Sequence, residues 1–199
     1  MAKSESKLGS IIFYVCIVLM FVGVLVFRNY WRETYGGVVV SGHSMDQTLY
    51  DGEKLLMKYT DEETKLERGD IIVVDVSGYE ECATVSSDYL IKRLIAVEGD
   101  KVRCTDGQIE ICYAGETEYQ LLNEPYAYYV NASAYDFEEY IVGEGEVFFL
   151  GDNRNNSCDS RYNQPNGSHL ADLYKATDVY GVVPKWALKH QKILSKIFF

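Results

Sequence analysis

Residues 88–97 read DYLIKRLIAV, and the fold turns on whether this run is a strand. It is rich in Ile, Leu and Val, far too short to cross a bilayer, and free of Gly and Pro, so it predicts an extended segment over Tyr89–Val97. Side chains alternate along a strand, which puts Leu90, Lys92, Leu94 and Ala96 on one face and Ile91, Arg93, Ile95 and Val97 on the other. Lys92 is then the one charge on an otherwise apolar face. Short extended patterns of the same kind recur near Gly37 to Val40, Lys54 to Tyr59, Asp70 to Val76, Lys101 to Thr105, Gln108 to Cys112, Val147 to Leu150 and Val179 to Val183. Gly and Asp signals separate them, which predicts a mainly β domain. Helix is expected only as a turn over Asp172 to Ala176 and a short piece over Lys185 to Lys196.

One segment escapes the β pattern. Residues 8–27 carry no charge, and 20 residues at a rise of 1.5 Å span about 30 Å, the hydrocarbon thickness of a bilayer. Tyr30 and Trp31 follow as interface aromatics. A cleaved leader is the competing reading, but the run is long for one and Arg28 to Trp31 offer no small-residue cleavage site. The division expected is a short N-terminus over residues 1–9, a membrane helix over 10–28, and a single domain over 35–199, elaborated around 113–146. The charges Lys3 and Lys7 against Arg28 and Arg32 leave orientation open.

The formal net charge is -11, and residues 98–152 hold 13 acidic and 2 basic side chains, which accounts for the whole excess. Such an acidic segment excludes nucleic acid as a partner, since phosphate binding is built on clustered Lys and Arg. Within it, residues 116–146 are tyrosine-rich with weak periodicity and read as an elaborated surface loop. The C-terminal run from Lys185 is basic and ends KILSKIFF; it fits either an anionic membrane surface or a frayed end. No Cys or His spacing suggests zinc, so neither metal nor cofactor is expected. His43, His169 and His190 are scattered, and His43, next to a candidate nucleophile, is expected to point away from it. Cys104 and Cys112 flank an Asp106-Gly107 turn, in a register where Cys104 opposes Ile109 and Cys112 opposes Lys101, which disfavours a disulfide between them. Arg68-Gly69-Asp70 reads as a turn into a strand.

Chemistry enters with VVVSGHSMDQTLYDG, residues 38–52. Ser44 lies just past a β-branched strand, beside backbone amides able to hold an oxyanion. A serine in a Gly-containing turn is also ordinary turn chemistry. Lys92 carries more weight. To serve as a base near neutral pH, its amine must release its proton some two to three pH units below the ordinary ~10.4, at a cost on the order of 3–4 kcal/mol; the bland alternative is a packed stem with its amine reaching water. The third element is GDNRNNSCDSR, residues 151–161, whose density of Asp, Asn, Arg and Ser after an apolar strand implies an internal ion-pair network.

Taken together, the apolar segment, SGHSMDQTL (41–49), RGDIIVV (68–74), IKRLIAVEGD (91–100) and GDNRNNSCDSR, in that order, resemble the type I signal peptidases of bacteria, the compact Gram-positive form in particular. The resemblance covers nearly the whole chain. It implies one N-terminal transmembrane helix followed by a β-rich catalytic domain of coiled antiparallel sheets on the extracytoplasmic side of the cytoplasmic membrane. It also implies a Ser/Lys endopeptidase acting on signal-peptide-bearing preproteins. Ser44 matches the nucleophile, Lys92 the general base, Gly42 the position beside the oxyanion hole, and Ser157 the hydroxyl that orients the lysine. Met45, Asp152, Arg154, Asp159 and Arg161 match supporting positions. Gln47 departs from the pattern by standing where the family usually has proline, which would stiffen the turn. That departure is the sole support for a rival, a catalytically weak relative assisting assembly of surface proteins. A self-cleaving repressor, the other Ser/Lys possibility, calls for a DNA-binding segment where this chain has an apolar one.

Overall fold

The computed structural model describes residues 2–78, 88–130, 136–161 and 174–198; Cys82, His169 and residues 172–173 lie outside them. The chain divides into two compact units, residues 1–36 and 37–199. The first is dominated by one helix, α1 (Ala2–Thr34), whose apolar side chains are exposed along its length. A protein dissolved in water rarely leaves such a surface bare, whereas lipid covers it at no cost. The helix outruns the uncharged segment at both ends.

The second unit is mainly β. After β1 (Tyr35–Val39) come β2 (Lys54–Tyr59), β3 (Ile71–Asp75), β4 (Tyr89–Val97), β5 (Lys101–Thr105), β6 (Gln108–Cys112), β7 (Gln120–Leu121), β8 (Phe137–Ile141), β9 (Val147–Leu150) and β10 (Val179–Val183). They form a six-stranded sheet in the order β1-β2-β10-β3-β4-β9 and a four-stranded sheet in the order β7-β6-β5-β8. Six of the expected strands carry the expected bounds. The other two shift by one or two residues, and β7 and β8 were not foreseen. The helix turn expected over Asp172 to Ala176 is instead a 3-10 turn over Ala176–Asp178, because Lys175 bridges in extended form to Glu146. The C-terminal helix is two pieces, α2 (Lys185–Lys189) and α3 (Gln191–Phe198), parted at His190.

β4 joins the layers. Its alternation holds from Leu90 to Leu94, then slips: the pairing with β9 shifts register between Leu94 and Ala96, so Ile95 and Ala96 are both buried. Leu90 and Leu94 pack with Ile72, Val74 and Phe149, whereas Ile95 and Ala96 pack against Val102, Ile111 and Phe148 between the two sheets. The bulge thus lets one strand feed two cores. The β5–β6 register is as expected, with Cys104 opposite Ile109 and Cys112 opposite Lys101, and both thiols are free.

Candidate active site

Ser44 opens a tight turn whose neighbour Met45 is buried among Val40, Leu49, Leu55 and Val73. That apolar anchor fixes the turn, with Thr48 and Leu49 donating to the Met45 carbonyl at 3.0 and 2.8 Å. Lys92 stands on β4 opposite Ile72 of β3. On its other side β9 pairs with Arg93 to Val97, so its register stops short of the Tyr89 to Lys92 half of β4. The Lys92 Nζ lies 2.9 Å from Ser44 Oγ and 3.0 Å from the Ile91 carbonyl oxygen. The residue is 3% exposed, so its amine is removed from the water that would stabilise the ammonium form.

The loop over residues 151–161 clamps this pair. Asn153 donates its backbone N–H to the Ser44 carbonyl at 3.0 Å and its side-chain amide to the His43 carbonyl at 2.9 Å. The fully buried Asp152 carboxylate takes two bonds from the Arg93 guanidinium, at 2.8 and 2.6 Å, and one from the Thr48 hydroxyl of the Ser44 turn. Arg154, buried, forks onto Glu124 and donates to the Tyr129 hydroxyl and the Gly151 carbonyl. Burial works against its charge, but Glu124 more than offsets this and holds the guanidinium protonated beyond its ordinary range. Asp159 is pushed up by burial, yet the Arg161 fork and the Gly151 N–H together hold it below the usual carboxylate range. Gly151 is required here by close approach: a Cβ on it would stand 2.6 Å from the Ser44 carbonyl oxygen and 2.2 Å from Ser157 Oγ.

Ser157 is buried against Gly151, and its hydroxyl oxygen finds no hydrogen-bond partner of good geometry among the described residues, although it is close enough to Asp159 to help hold that carboxylate ionised. Gly42 has φ of 89° and donates its N–H to Asp51 at 2.8 Å. Its contribution is therefore the left-handed backbone that leads into the turn, while the Ser44 N–H finds no acceptor among the described residues. His43 is exposed, and its ring nitrogen lies 3.2 Å from the Asp46 carboxylate. Gln47 sits at φ of 83°. Proline is locked near -65°, so in this chain the turn takes a path that proline cannot follow.

The stretch 116–146 corrects the expectation of a surface loop. It contributes β7 and β8, and Glu124, Tyr126 and Tyr129 pack onto the site: the Arg93 guanidinium lies 3.9 Å over the Tyr126 ring, and Tyr128 bonds through its backbone to Asp152 and Arg154. None of these residues stood out in the sequence, because a carboxylate in an acidic run gives no sign that its partner is a buried arginine.

Beside the pair runs a groove of about 580 Å³. It is lined by residues 37–45, by Tyr89 to Lys92 of β4, and by Met57, Val73, Cys158 and Tyr180. Among the described residues the arrangement offers a serine hydroxyl, a buried amine at hydrogen-bond distance from it, a backbone N–H of the same serine without an acceptor, and an adjoining groove.

A family model described as "Signal peptidase, peptidase S26" matches residues 7–187. Signal peptidase I of Bacillus licheniformis is 36% identical over 177 residues, covering 85% of this chain and 86% of that protein. Signal peptidase I T of Bacillus subtilis strain 168 is 34% identical over 148 residues, covering 73% of this chain and 72% of its own length. Among solved structures, a signal peptidase I from Enterococcus faecalis V583 aligns with 61% of this chain and 98% of its own, at 26% identity and a TM-score of 0.42.

Proposed function

Because the chain belongs to the signal peptidase family, peptidase S26, we propose that Ser44 is its nucleophile and Lys92 its general base. The protein is a membrane-bound serine endopeptidase that removes N-terminal signal peptides from preproteins. The observation that carries the assignment is the 2.9 Å separation of Lys92 Nζ from Ser44 Oγ with the amine out of water.

In the neutral form of Lys92, the Ser44 hydroxyl donates to Nζ and passes its proton there as Oγ attacks the scissile carbonyl. The resulting oxyanion lies against the Ser44 N–H. Lys92 then returns the proton to the departing amine of the mature protein, leaving an acyl ester on Ser44. The same amine next takes a proton from the water that attacks the ester and passes it to Ser44 Oγ as the signal peptide leaves, which restores the hydroxyl and the neutral amine. Met45, Asp152, Arg154, Asp159 and Arg161 are positioning residues, acting through the clamp on the Ser44 turn, and Ser157 completes the polar surround of the lysine. Gly42 shapes the entry to the turn.

The substrate lies extended in the groove beside the Tyr89 to Lys92 half of β4, held mainly through its backbone, as sequence-tolerant recognition requires. The catalytic unit, residues 35–199, sits on the extracytoplasmic side, where exported preproteins emerge, with the membrane span over residues 10–28. Lys192 and Lys196 of α3 provide the basic side chains that an anionic lipid surface would attract. The test is preprotein cleavage by Ser44→Ala and Lys92→Arg. Arginine keeps the positive charge but gives up no proton. Each variant should lose a factor on the order of 10⁴ or more; wild-type turnover in Lys92→Arg would remove the lysine from its role.

A further inference from the structure

One residue of the 151–161 loop grips both peptide units that flank the Ser44 Cα. Asn153 donates its backbone N–H to the Ser44 carbonyl at 3.0 Å and its side-chain Nδ2 to the His43 carbonyl at 2.9 Å. Its own place is firm. The residue is 7% exposed and bridges in parallel to Tyr128, with the Tyr128 N–H donating to the Asp152 carbonyl at 2.7 Å and the Arg154 N–H to the Tyr128 carbonyl at 3.0 Å. The carboxamide oxygen finds no partner among the described residues, so the bond to His43 is what this side chain contributes. Its nitrogen must be the atom that faces the carbonyl, since two oxygens would repel.

The His43–Ser44 unit carries that bond to the chemistry. No peptide bond among the described residues is cis, so the His43 C=O and the Ser44 N–H lie in one rigid plane and point in opposite directions. Holding the carbonyl on Asn153 therefore fixes the direction of the Ser44 N–H, away from the loop. A donor on the carbonyl also polarises the whole unit and strengthens its N–H. Gly42 cannot share the task, because it has no side chain and its N–H is taken by Asp51 at 2.8 Å.

Resting on the peptidase reading, we propose that Asn153 is a positioning residue for the oxyanion: its carboxamide, acting through the His43 carbonyl, aims and strengthens the Ser44 N–H that receives the developing charge. The ion-pair residues around it hold the turn in place, whereas Asn153 acts on the donor itself. Because that charge exists only in the transition state and the tetrahedral intermediate, the contribution falls on kcat and leaves substrate binding alone.

The experiment uses the full chain in detergent micelles with a signal-peptide substrate. Asn153→Leu keeps the branched shape of the side chain but offers no proton to His43, and Asn153→Ala serves should the leucine prevent folding. Either should lower kcat by about 100-fold with KM within about twofold, the loss expected when an oxyanion donor falls out of line. The rising limb of the pH–rate profile should keep its midpoint, because Lys92 is untouched. A peptide boronate, whose tetrahedral adduct on Ser44 sets an anionic oxygen against the N–H, should lose affinity by the same factor as kcat/KM, while binding of uncleaved substrate in a Ser44→Ala background stays the same. His43–Ser44 is the one His-Ser pair in the chain, so isotopic carbon at the histidine carbonyls and isotopic nitrogen at serine report that single unit by NMR. In the wild type the boronate should move the Ser44 amide proton downfield and leave the His43 carbonyl carbon in place, which tests the aim even if neither variant folds. A variant kcat within about threefold of wild type, a loss confined to KM, a shifted pH limb, unchanged boronate affinity, or a carbonyl carbon that moves with the amide proton would overturn the role of Asn153. Failure of the wild-type protein to cleave the substrate would instead strike the peptidase reading.

Discussion

Asp152→Asn is the substitution whose consequence follows most directly from the geometry. The carboxylate is fully buried and receives three donors: Nε and a terminal nitrogen of Arg93 at 2.8 and 2.6 Å, and the Thr48 hydroxyl. Arg93 is itself shielded, its guanidinium capped by the Tyr126 ring at 3.9 Å and its side chain 11% exposed. Asparagine has nearly the same shape, but one of its two terminal atoms becomes a donor, and because both positions accept from Arg93 it faces a guanidinium N–H in either orientation. The substitution therefore removes the charge, strands a guanidinium and turns one hydrogen bond into a clash of donors. Breaking a buried pair from one side costs about 3–5 kcal/mol; the slight exposure of Arg93 places this case near the lower figure. For a domain of this size, about 3 kcal/mol corresponds to a fall in Tm of roughly 6–12 °C. Thermal unfolding in detergent, followed by the far-ultraviolet circular dichroism of the sheets, measures it. Activity below the melting range should also drop, because Thr48 belongs to the turn that presents Ser44. A Tm within about 2 °C of wild type would show that the Asp152–Arg93–Thr48 node does not hold the site together.

Gln47 pays for a left-handed φ of 83°, so Gln47→Gly should stabilise the protein by about 1 kcal/mol in denaturant titration, whereas Gln47→Pro, though it restores the family's usual residue, should lower both stability and cleavage. Gly151→Ala should depress the rate of substrate cleavage far more than it perturbs overall circular dichroism, since the new methyl would stand 2.6 Å from the Ser44 carbonyl oxygen. Asp159 has a native carboxyl held below its unfolded value of about 3.9, so its stabilisation is complete above that pH and is lost as pH falls through the native value. The difference in unfolding free energy between wild type and Asp159→Asn should accordingly be largest near pH 7 and shrink steadily below about pH 4.

The strands were legible because each is short, rich in β-branched and aromatic residues and punctuated by Gly and Asp, so the local pattern and the tertiary environment agree. The Lys92 face could be read for the same reason: Leu90 and Leu94 are buried on either side of it. The slip at Ile95 could not, since a bulge depends on what the partner strand does. β8 was hidden by its own sequence, FEEYI, in which only Phe137 is buried; a strand with a wet face on an acidic background shows little period. At the site, residue types alone left Ser44 and Lys92 open to ordinary structural readings, and it was the order of the motifs, through the resemblance, that singled them out with the charged residues of the loop. Glu124 and Tyr126 could not, because each reaches the site only through contacts with arginines distant in sequence. Gln47 was seen as a missing proline, but not as a residue in a backbone region closed to proline, because the sign of φ is set by how the turn closes onto Asn153 and Met45.

The decisive measurement is the rate at which Ser44 becomes acylated. Mixed rapidly with a signal-peptide ester, quenched in acid and digested, the wild-type protein should carry the acyl group on Ser44 within the first turnover. Lys92→Met, which retains most of the side chain's bulk without an amine, should bind the ester but leave Ser44 unmodified over the same interval. Acylation of Ser44 in Lys92→Met at the wild-type rate, or an ester found on some other residue of the wild-type chain, would contradict the Ser44–Lys92 pair.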